Sequence, residues 1–340
     1  MSGNKILNAA FIGCGGFARA MHAPLLMANP RYRIRAAMDI DEEAAYKLYK
    51  QTGASYYTSS LDNLLGDPLI DVVFITTRHD THAELCIRAA AAGKHILCEK
   101  PMALNAADCK RVAEAVAESR VKYAIGYNRG LAPMVTESRR LLDAAEGKIM
   151  IYHRIQAYFP ESHWTHDEAV GGGRFVGEGC HIFDLFCELV KSEPVSVYAS
   201  GGTFLDPEKV HIPDSAAVTV TFRDGSVAVT LINSAGCDKL SKESTEIYCD
   251  RKAIVITDFT RMECYGFEGR DKTVIEYSGA DKGHAVEIDR LADCILDGAE
   301  CPNGIEKAAR AAVISYKAVE SLRCGKPVTI SRSEYAFDKI

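Results

Sequence analysis

A glycine-rich turn near the N-terminus limits the fold of this chain more than any other feature. The apolar run Lys5–Ile12 ends in the hexapeptide Gly13–Ala18, and a helical pattern containing Leu25 and Leu26 follows. In a dinucleotide-binding unit, such glycines let the backbone approach a pyrophosphate, and the first helical N–H groups supply partial positive charge. A purely structural turn has the same pattern. The hexapeptide supplies five candidate cofactor-binding residues: Gly13, Gly15, Gly16, Phe17 and Ala18.

The next strand-like run supplies an acid at a suitable distance. Tyr32–Met38 ends in Asp39, which lies 21 positions after Ala18. That is close to the ~20-residue spacing expected for the acid that binds the adenosine ribose hydroxyls. A carboxylate there repels a 2′-phosphate, so the pattern favours NAD, and NADP stays the alternative. The competing interpretation of Asp39 is that it caps a helix predicted over Glu42–Lys50.

Strands and helices alternate through the first third of the chain. Short buried strands are predicted at Val72–Thr76, Ile96–Cys98 and Tyr123–Gly126, with helical patterns between them. This alternation with short connections is typical of a parallel, doubly wound sheet. The predicted fold class is therefore α/β, with an N-terminal Rossmann dinucleotide-binding domain at residues 1–127.

A charged tripeptide directly follows the strand Ile96–Cys98, namely Glu99, Lys100 and Pro101. The carboxyl ends of strands in open α/β sheets border the ligand crevice. A lysine that is desolvated there loses part of its proton affinity and acts as an acid or base near neutral pH. The alternative on this stretch alone is an ordinary surface lysine at a strand end. Lys100 is the first catalytic candidate.

The periodicity changes at residue 128, where a second domain is predicted to run to residue 340. Strand-like runs dominate from Val195, and Arg223–Ser226 has the pattern of a hairpin turn. This region is predicted to be α+β, with an open, mostly antiparallel sheet. Within its predicted helix Cys180–Val190, His181 and Asp184 are three positions apart and share a face. A histidine beside a nicotinamide can shuttle the substrate proton, whereas without that context a core histidine is the simpler interpretation.

Bulk composition excludes several classes of function. The net charge of −6 provides no basic footprint for nucleic acid, and no apolar run is long enough to span a membrane. Met1–Asn8 does not have the pattern of a signal peptide. Twelve cysteines occur without a C-x-x-C pair or a zinc-type cluster, and several, such as Cys294, lie in apolar runs where buried thiols are common. We therefore expect no metal site and a reducing, cytoplasmic location.

Taken together, the motifs resemble the glucose-fructose oxidoreductase/inositol dehydrogenase (Gfo/Idh/MocA) family along essentially the whole chain. The ordered set consists of Gly13–Ala18, Thr76–His82, Ala92–His95 leading to Glu99–Pro101, Gly126–Arg129, Gly171–Gly173 with His181 and Asp184, and a helix-rich tail from His284 to Val328. The resemblance implies that Lys100 lies at the nicotinamide and contacts the reacting oxygen. It also implies that Glu99 lies near the cofactor and that the bond between Lys100 and Pro101 is often cis.

The segment after the strand Val72–Thr76 adds further cofactor candidates by resemblance. Thr76, Thr77 and His82 match family positions that line the nicotinamide ribose side. His79 is included with them, although this chain has Thr77-Arg78-His79 where the family usually has Thr-Pro-Asn. Helix capping and first-turn polarity are the alternative interpretation of His79.

In the second domain, the resemblance implies that His181 faces the substrate. Family members commonly place an aspartate four residues earlier, where this chain has Gly177, and the acid here is Glu178. Either Glu178 takes over that role or His181 serves alone. The predicted substrate-binding residues are Asp184, Asn128, Arg129 and Trp164. The face of Trp164 can pack against sugar C–H groups, and its alternative role is a lid or interface anchor.

The predicted function is transfer of a hydride between NAD(P) and a hydroxyl or carbonyl of a sugar, polyol or glycoside. Lys100 would be the acid/base, with His181 and Glu178 as the other catalytic candidates. One alternative is an NAD-assisted enzyme that cleaves glycosides by oxidation, elimination and re-reduction without net redox, and another is a non-catalytic NAD-binding regulator. The resemblance also implies a homodimer or homotetramer formed through the free face of the sheet. The identity of the sugar and of the reacting carbon stays open.

Overall fold

The computed structural model describes residues 5–337, which form two compact units. The first contains the described residues up to Tyr127 together with His284–Ala309, and the second contains Asn128–Gly283 and Arg310–Ala336. The chain passes from the first unit to the second after Tyr127, and His284–Ala309 returns to the first unit. The functional domains assigned to residues 1–127 and 128–340 stay a prediction.

The first unit is built on a six-stranded sheet in which every pairing is parallel. Its strands lie in the order β3-β2-β1-β4-β5-β6, so the order reverses between β1 and β4. The strands are β1 (Leu7–Ile12), β2 (Tyr32–Met38), β3 (Tyr56–Thr58), β4 (Val72–Ile75), β5 (His95–Cys98) and β6 (Tyr123–Ile125). The prediction of a doubly wound α/β domain is confirmed, and its ligand crevice is expected where the order reverses.

Helices connect these strands, and the central strands β1, β4 and β5 are mostly apolar and buried, as expected of a parallel sheet covered on both faces. The helices of this region are α1 (Ala23–Ala28), α2 (Glu42–Thr52), α3 (Leu61–Leu65), α4 (His82–Ala91) and α5 (Ala106–Ser119). The side chain that caps α2 belongs to Asp41, which accepts a hydrogen bond from the Glu43 N–H. The interpretation of Asp39 as the cap of this helix is therefore wrong.

The second unit contains a nine-stranded sheet in the order β14-β13-β12-β11-β7-β10-β9-β8-β15. Only the pair β7–β10 is parallel among the strands that the structure describes, so the prediction of a mostly antiparallel sheet is confirmed. The strands are β7 (Met150–Gln156), β8 (Pro194–Gly202), β9 (Ser215–Phe222), β10 (Val227–Asn233), β11 (Glu243–Cys249), β12 (Lys252–Thr257), β13 (Arg261–Tyr265), β14 (Lys272–Glu276) and β15 (Val328–Thr329).

Four long helices follow β6 along the chain: α6 (Pro133–Asp143), α7 (Cys180–Val190), α8 (His284–Leu296) and α9 (Ile305–Cys324). The bounds predicted for α7 are confirmed, and every residue of this helix is buried. Its polar residues therefore lie in the interior of the protein, where they need partners.

Cys294 is fully buried, as predicted, but it forms a disulfide with Cys301. Its interpretation as an isolated thiol is therefore wrong: the turn after α8 brings the two Cα atoms to 5.2 Å. No helix within residues 5–337 is long and apolar enough to cross a membrane. In the same residues, no group of three or more His, Cys, Asp or Glu side chains is placed to hold a metal ion.

Candidate functional site

The glycine turn after β1 forms an open cradle at the carboxyl edge of the sheet. Gly13 has φ +94°, and a Cβ there would lie 2.8 Å from the carbonyl carbon of Thr76, so this position needs glycine. The Thr76 hydroxyl donates to the Gly13 carbonyl at 2.6 Å. By contrast, a Cβ placed on Gly15 or Gly16 would meet no atom within 4 Å beyond its chain neighbours and the adjoining helix backbone. The chain becomes helical at Gly16, so the cradle and its first N–H groups fit a pyrophosphate.

Asp39 is fixed beside this cradle by backbone donors. Its Oδ2 accepts from the Cys14 N–H at 2.7 Å, and its Oδ1 accepts from the Asp41 N–H at 3.0 Å. Burial, reinforced by the charge of Asp39, raises the pKa of the Cys14 thiol to about 12. The carboxylate is thus held at the end of β2 next to the glycine turn. Its contact with a ribose stays a prediction.

The ends of β4 and β5 are joined by a buried histidine. Nδ1 of His82 lies 2.8 Å from the Pro101 carbonyl oxygen, and Nε2 lies 3.3 Å from that of Thr77. Burial lowers the pKa of His82 despite these two carbonyls. The Thr81 hydroxyl donates to that of Thr77 at 2.7 Å. His82 therefore holds together the two strand ends that carry the cofactor candidates.

His79 lies in the 3₁₀ turn His79–Thr81, directly before α4. The cap position of this turn is Arg78, so His79 is not the capping residue. The His79 side chain is buried, and its ring centroid lies 5.7 Å from that of His82. Its place beside His82 is compatible with the predicted cofactor role, which stays a prediction.

Glu99 is buried and makes a hydrogen bond that the sequence did not reveal. Its Oε1 lies 2.7 Å from Nε2 of His22, which belongs to the π-helical turn Ala18–His22 after the glycine loop. Burial opposes ionisation of Glu99, but the His22 hydrogen bond and the charges of His22 and Lys100 lower its pKa overall. A Cβ on Gly126 would lie 3.0 Å from Glu99 Oε1. Glu99 is thus an ionised, tightly enclosed carboxylate.

Lys100 is half-buried at the end of β5. Its backbone N–H donates to Oε2 of Glu99 at 3.3 Å, and its peptide bond to Pro101 is cis, as the resemblance implied. The first unit therefore brings the glycine turn, Asp39, Thr76 and the Glu99–Lys100 pair to one edge of the sheet, because the carboxyl ends of parallel strands meet there.

In the second unit, Arg129 is the centre of a buried ionic cluster. Its Nε donates to Oε2 of Glu243 at 2.7 Å, and its Nη2 donates to Oε1 of the same residue at 2.9 Å. Nη2 also lies 3.3 Å from Oε1 of Glu178. Lys282 contacts Glu243 at 2.5 Å, and Lys242 contacts Glu178 at 3.4 Å. Two of the predicted site residues, Arg129 and Glu178, are therefore brought together.

Mutual attraction outweighs desolvation inside this cluster. Burial acts against the charged forms of Arg129 and Glu243, yet the opposite charges raise the pKa of the arginine and lower that of the glutamate. Glu243 was not among the site residues predicted from the sequence. The inward alternation of Thr245 and Ile247 extends back to Glu243, so an acid at an inward position was the available signal.

Asn128 precedes Arg129 and is also engaged by the protein. Its Nδ2 donates to the Lys282 carbonyl at 2.8 Å. Gly283 requires glycine, since it has φ +88° and a Cβ there would lie 2.5 Å from the Asn128 carbonyl oxygen. These contacts fix the start of the second unit, and substrate contacts by Asn128 and Arg129 stay predictions.

Helix α7 presents His181 and Asp184 on one buried face. A Cβ on Gly130 would lie 3.4 Å from Oδ2 of Asp184 and 2.9 Å from Cγ of Glu188. The close approach of the chain at Gly130 therefore encloses the acidic face of this helix. Gly177, where the resemblance leads one to expect an acid, lies in the π-helical turn Phe175–Gly179 just before α7.

The glycine-dense loop packs against the turn that contains Trp164. A Cβ on Gly171 would lie 2.3 Å from the Cα of Thr165, so no larger residue fits at this position. The Trp164 ring is half-buried and stacks on His163 with centroids 5.6 Å apart. The structure places Trp164 beside the loop that leads to α7, and its packing against a sugar stays a prediction.

Comparison with known proteins agrees with both units. The family model described as the oxidoreductase family with an NAD-binding Rossmann fold matches residues 7–127, and the GFO/IDH/MocA C-terminal domain matches residues 144–255. The chain belongs to the Gfo/Idh/MocA family. It is an NAD-binding oxidoreductase, and several of its named relatives are sugar and polyol dehydrogenases. This membership favours an enzyme over the non-catalytic regulator.

Individual members of the Gfo/Idh/MocA family resemble the chain to different extents. An uncharacterized oxidoreductase, YrbE of Bacillus subtilis, is 27% identical over 354 residues, covering 97% of this chain and 98% of that protein. Myo-inositol 2-dehydrogenase of Thermotoga maritima is 30% identical over 225 residues, covering 64% of this chain and 66% of that protein. The structure of levoglucosan dehydrogenase with NADH has a TM-score of 0.87 at 21% identity, covering 96% and 100% of the two chains, and supports the fold alone.

Proposed function

We propose that the chain transfers a hydride between NAD and a hydroxyl or carbonyl of a sugar, polyol or glycoside, with Lys100 as the acid/base. The observation that carries this proposal is the position of Lys100 at the end of β5, on the sheet edge that also carries the glycine cradle. The nicotinamide supplies the hydride acceptor or donor. The relatives named for inositol and levoglucosan support a hydroxylated ring as the substrate class.

In the oxidative direction, Lys100 would hold the substrate hydroxyl and accept its proton, and in reduction it would return that proton. A lysine must be neutral to accept a proton. Glu99 is ionised and tied to His22, so it supports the backbone of Lys100 and balances local positive charge. We assign proton relay to His181 and substrate binding to Asp184, Asn128, Arg129 and Trp164.

Glu178 is assigned the role of orienting His181 in place of the acid absent at Gly177. Its contacts with Arg129 and Lys242 support the presence of a charged carboxylate directly before α7. Substitution of Glu178 by glutamine preserves its size and removes its charge. We expect this variant to lower kcat more than the affinity for NAD, because the cradle that binds NAD lies elsewhere in the sequence.

We propose that NAD is preferred over NADP, because the Asp39 carboxylate, held beside the glycine turn by the Cys14 N–H, would repel a 2′-phosphate. Ile40 follows it with 89% of its surface exposed, and such an apolar side chain offers a surface for an adenine ring. Substituting Asp39 by alanine should narrow the difference in KM between NAD and NADP, whereas an unchanged ratio would remove Asp39 from the assignment.

The decisive test of the function is a screen of sugars, polyols and glycosides with NAD and NADP, followed by Lys100→Ala and Lys100→Met on the best substrate. Loss of general acid–base catalysis should lower kcat by roughly 10²–10⁴-fold. NAD affinity should remain measurable, which separates chemistry from folding. Turnover by Lys100→Ala near that of the parent enzyme would refute the role of Lys100.

The same screen separates net oxidation from glycoside cleavage. If the chain cleaves glycosides by transient oxidation, free sugar appears without accumulation of NADH. If it is a dehydrogenase, NADH forms in equal amount to the oxidised product. The cleavage alternative is motivated by the acid near His181, which is Glu178 in this chain, whereas the resemblance leads one to expect it at position 177, here Gly177.

We also propose that the chain forms a homodimer or homotetramer through the free face of the nine-stranded sheet. Register places five large exposed side chains on that face: Met150, Tyr152, Tyr198, Leu231 and Tyr248. Several large, exposed side chains on one face of a sheet are typical of an interface. Light scattering of the chain and of a Leu231→Arg variant tests this, and a monomeric parent protein would refute it. A cytoplasmic location stays a prediction from the cysteine pattern.

A further inference from the structure

Arg174 is a buried arginine in the loop that leads to α7, and the proposed mechanism does not use it. Only 2% of its surface is exposed. Its guanidinium carbon lies 3.7 Å from the ring centroid of Phe159, so the aromatic ring covers one face of the guanidinium. Stacking on a face leaves the N–H groups at the edge available for hydrogen bonds.

One edge of this guanidinium has no partner. Nε and Nη2 of Arg174 are both buried, and neither makes a hydrogen bond to any residue within 5–337. These two nitrogens form the pair of parallel donors that matches a carboxylate in bidentate geometry. In Arg129, by comparison, Nε and Nη2 both donate to the carboxylate of Glu243. Buried donors without acceptors are unfavourable, so an acceptor from a bound ligand would stabilise this edge of Arg174.

The nearest acids do not provide the missing acceptor. Asp214 and Glu178 attract Arg174 electrostatically, but burial dominates and lowers the pKa of the guanidinium. Oδ2 of Asp214 accepts from the Phe204 and Leu205 N–H groups, and Oδ1 accepts from the Ser215 hydroxyl. These hydrogen bonds do not depend on the arginine.

The position of Arg174 connects it with the candidate substrate site. Gly173, with φ +80°, precedes it, and the π-helical turn Phe175–Gly179 follows and leads into α7. Phe159 lies in an irregular segment after β7. His166 lies close enough to Arg174 for their charges to interact, and burial lowers its pKa. An anion placed against the Arg174 edge would therefore have a second potentially cationic neighbour.

We propose that Arg174 is a specificity-determining residue that binds a carboxylate group of the substrate, so that the substrate is an acidic sugar such as a uronic acid or its glycoside. The proposal rests on the proposed dehydrogenase function and narrows its substrate class. A carboxylate supplies two oxygens in the plane of the fork and a single negative charge. A sugar phosphate offers similar oxygens, but its second charge is disfavoured beside Asp214 and Glu178.

Matched substrate pairs test the assignment. Each hexose (glucose, galactose, mannose) and its methyl glycoside is compared with the corresponding uronate and with the 6-phosphate, for the parent enzyme and for Arg174→Met and Arg174→Lys. We expect a uronate to be preferred and Arg174→Met to lower its kcat/KM by about 100-fold, with little effect on the neutral partner. Arg174→Lys should recover part of the loss, because it restores charge but not the fork. Arg140→Met, on the exposed surface of α6, is the control.

A second measurement does not depend on turnover. Without ligand, Arg174→Met should melt a few degrees above the parent enzyme, because it removes a buried cation whose Nε and Nη2 have no acceptor. An arginine that is purely structural would instead leave the variant less stable. Uronates should raise the melting temperature of the parent enzyme but not that of Arg174→Met.

The outcomes separate this proposal from the proposed function. Oxidation of a neutral sugar that Arg174→Met leaves unchanged, with no preference for any uronate, overturns the carboxylate site and leaves the dehydrogenase function in place. Preference for a 6-phosphate overturns the carboxylate assignment. If no compound is oxidised, the proposed function fails, and the melting shifts alone decide the site: a shift by uronates that requires Arg174 supports it, and the absence of any shift overturns it.

Discussion

His153 should make the stability of the second unit depend on pH above the range where carboxylates titrate. The ring is fully buried on β7, with Nδ1 2.8 Å from the Thr245 hydroxyl oxygen, and Nε2 has no hydrogen-bond partner in the described part of the chain. Burial, assisted by the charges of Arg129 and Lys282, lowers the pKa of His153 from 6.5 to about 4, although Glu243 opposes this.

The sign and size of the effect follow from this shift. Because the folded state binds the proton less well than the unfolded state, the stabilisation is fully present above pH 6.5 and is lost as the pH falls towards 4. Between pH 7.5 and 4.5, His153 alone should lower the free energy of unfolding by about 2.5 kcal/mol.

Urea unfolding of the parent enzyme and of His153→Gln at half-unit steps between pH 7.5 and 4.5 measures this effect. Glutamine retains a polar group for Thr245 but binds no proton, so the free energy of unfolding of the variant should fall less steeply over this interval. His211→Gln, at an exposed position, controls for the loss of a histidine elsewhere in the unit. If the parent enzyme and His153→Gln have the same pH dependence, the buried neutral histidine inferred here is incorrect.

Three further perturbations test other parts of the structure. Gly13→Ala should lower the free energy of unfolding by about 2–4 kcal/mol and weaken NAD binding measured by calorimetry, because φ is positive and the added Cβ meets Thr76. As a control, Gly15→Ala, where space is open, should change the free energy of unfolding by less than about 0.5 kcal/mol. Glu243→Gln should cost about 3–5 kcal/mol in urea unfolding because it leaves buried cations unpaired, whereas Glu246→Gln, on the free face of the same strand, should change little. Reduction of the Cys294–Cys301 disulfide, which joins residues 7 positions apart, should lower the free energy of unfolding by about 2–3 kcal/mol. A variant with serine at both positions should unfold identically with and without reductant.

The architecture of the first unit followed closely from the sequence because its strands are short, apolar and punctuated by glycine. The parallel, doubly wound sheet could be expected from that rhythm, and the bounds of α7 were predicted correctly from its apolar residues. The edge strand β14 is half-exposed and charged, so its sequence carries little strand signal. The return of His284–Ala309 to the first unit depends on tertiary packing, for which the sequence has no local signal.

The candidate site was predictable where chemistry coincides with an element end and unpredictable where it depends on a partner far along the chain. Lys100 and Asp39 follow strands, so their positions could be argued from spacing. His22 and Glu243 became visible only through the residues they contact, Glu99 and Arg129, which are separated from them by 77 and 114 positions. The burial of Arg174 could not be predicted from the sequence, because an arginine that follows three glycines in a loop is ordinarily exposed.

The two buried arginines of the second unit clarify how the sequence can alter specificity while the fold is kept. Arg129 has both nitrogens of its fork on Glu243, so its geometry is fixed by the protein itself. Arg174 has the same fork buried but without such an acid. A folded protein retains an unpaired buried cation at the expense of stability, which is the pattern expected at binding sites rather than in structural cores. Substitution at Arg129 should therefore lower the stability of the fold and the turnover of every substrate alike, because it breaks the buried pair with Glu243. Substitution at Arg174 should instead change the preference among substrates.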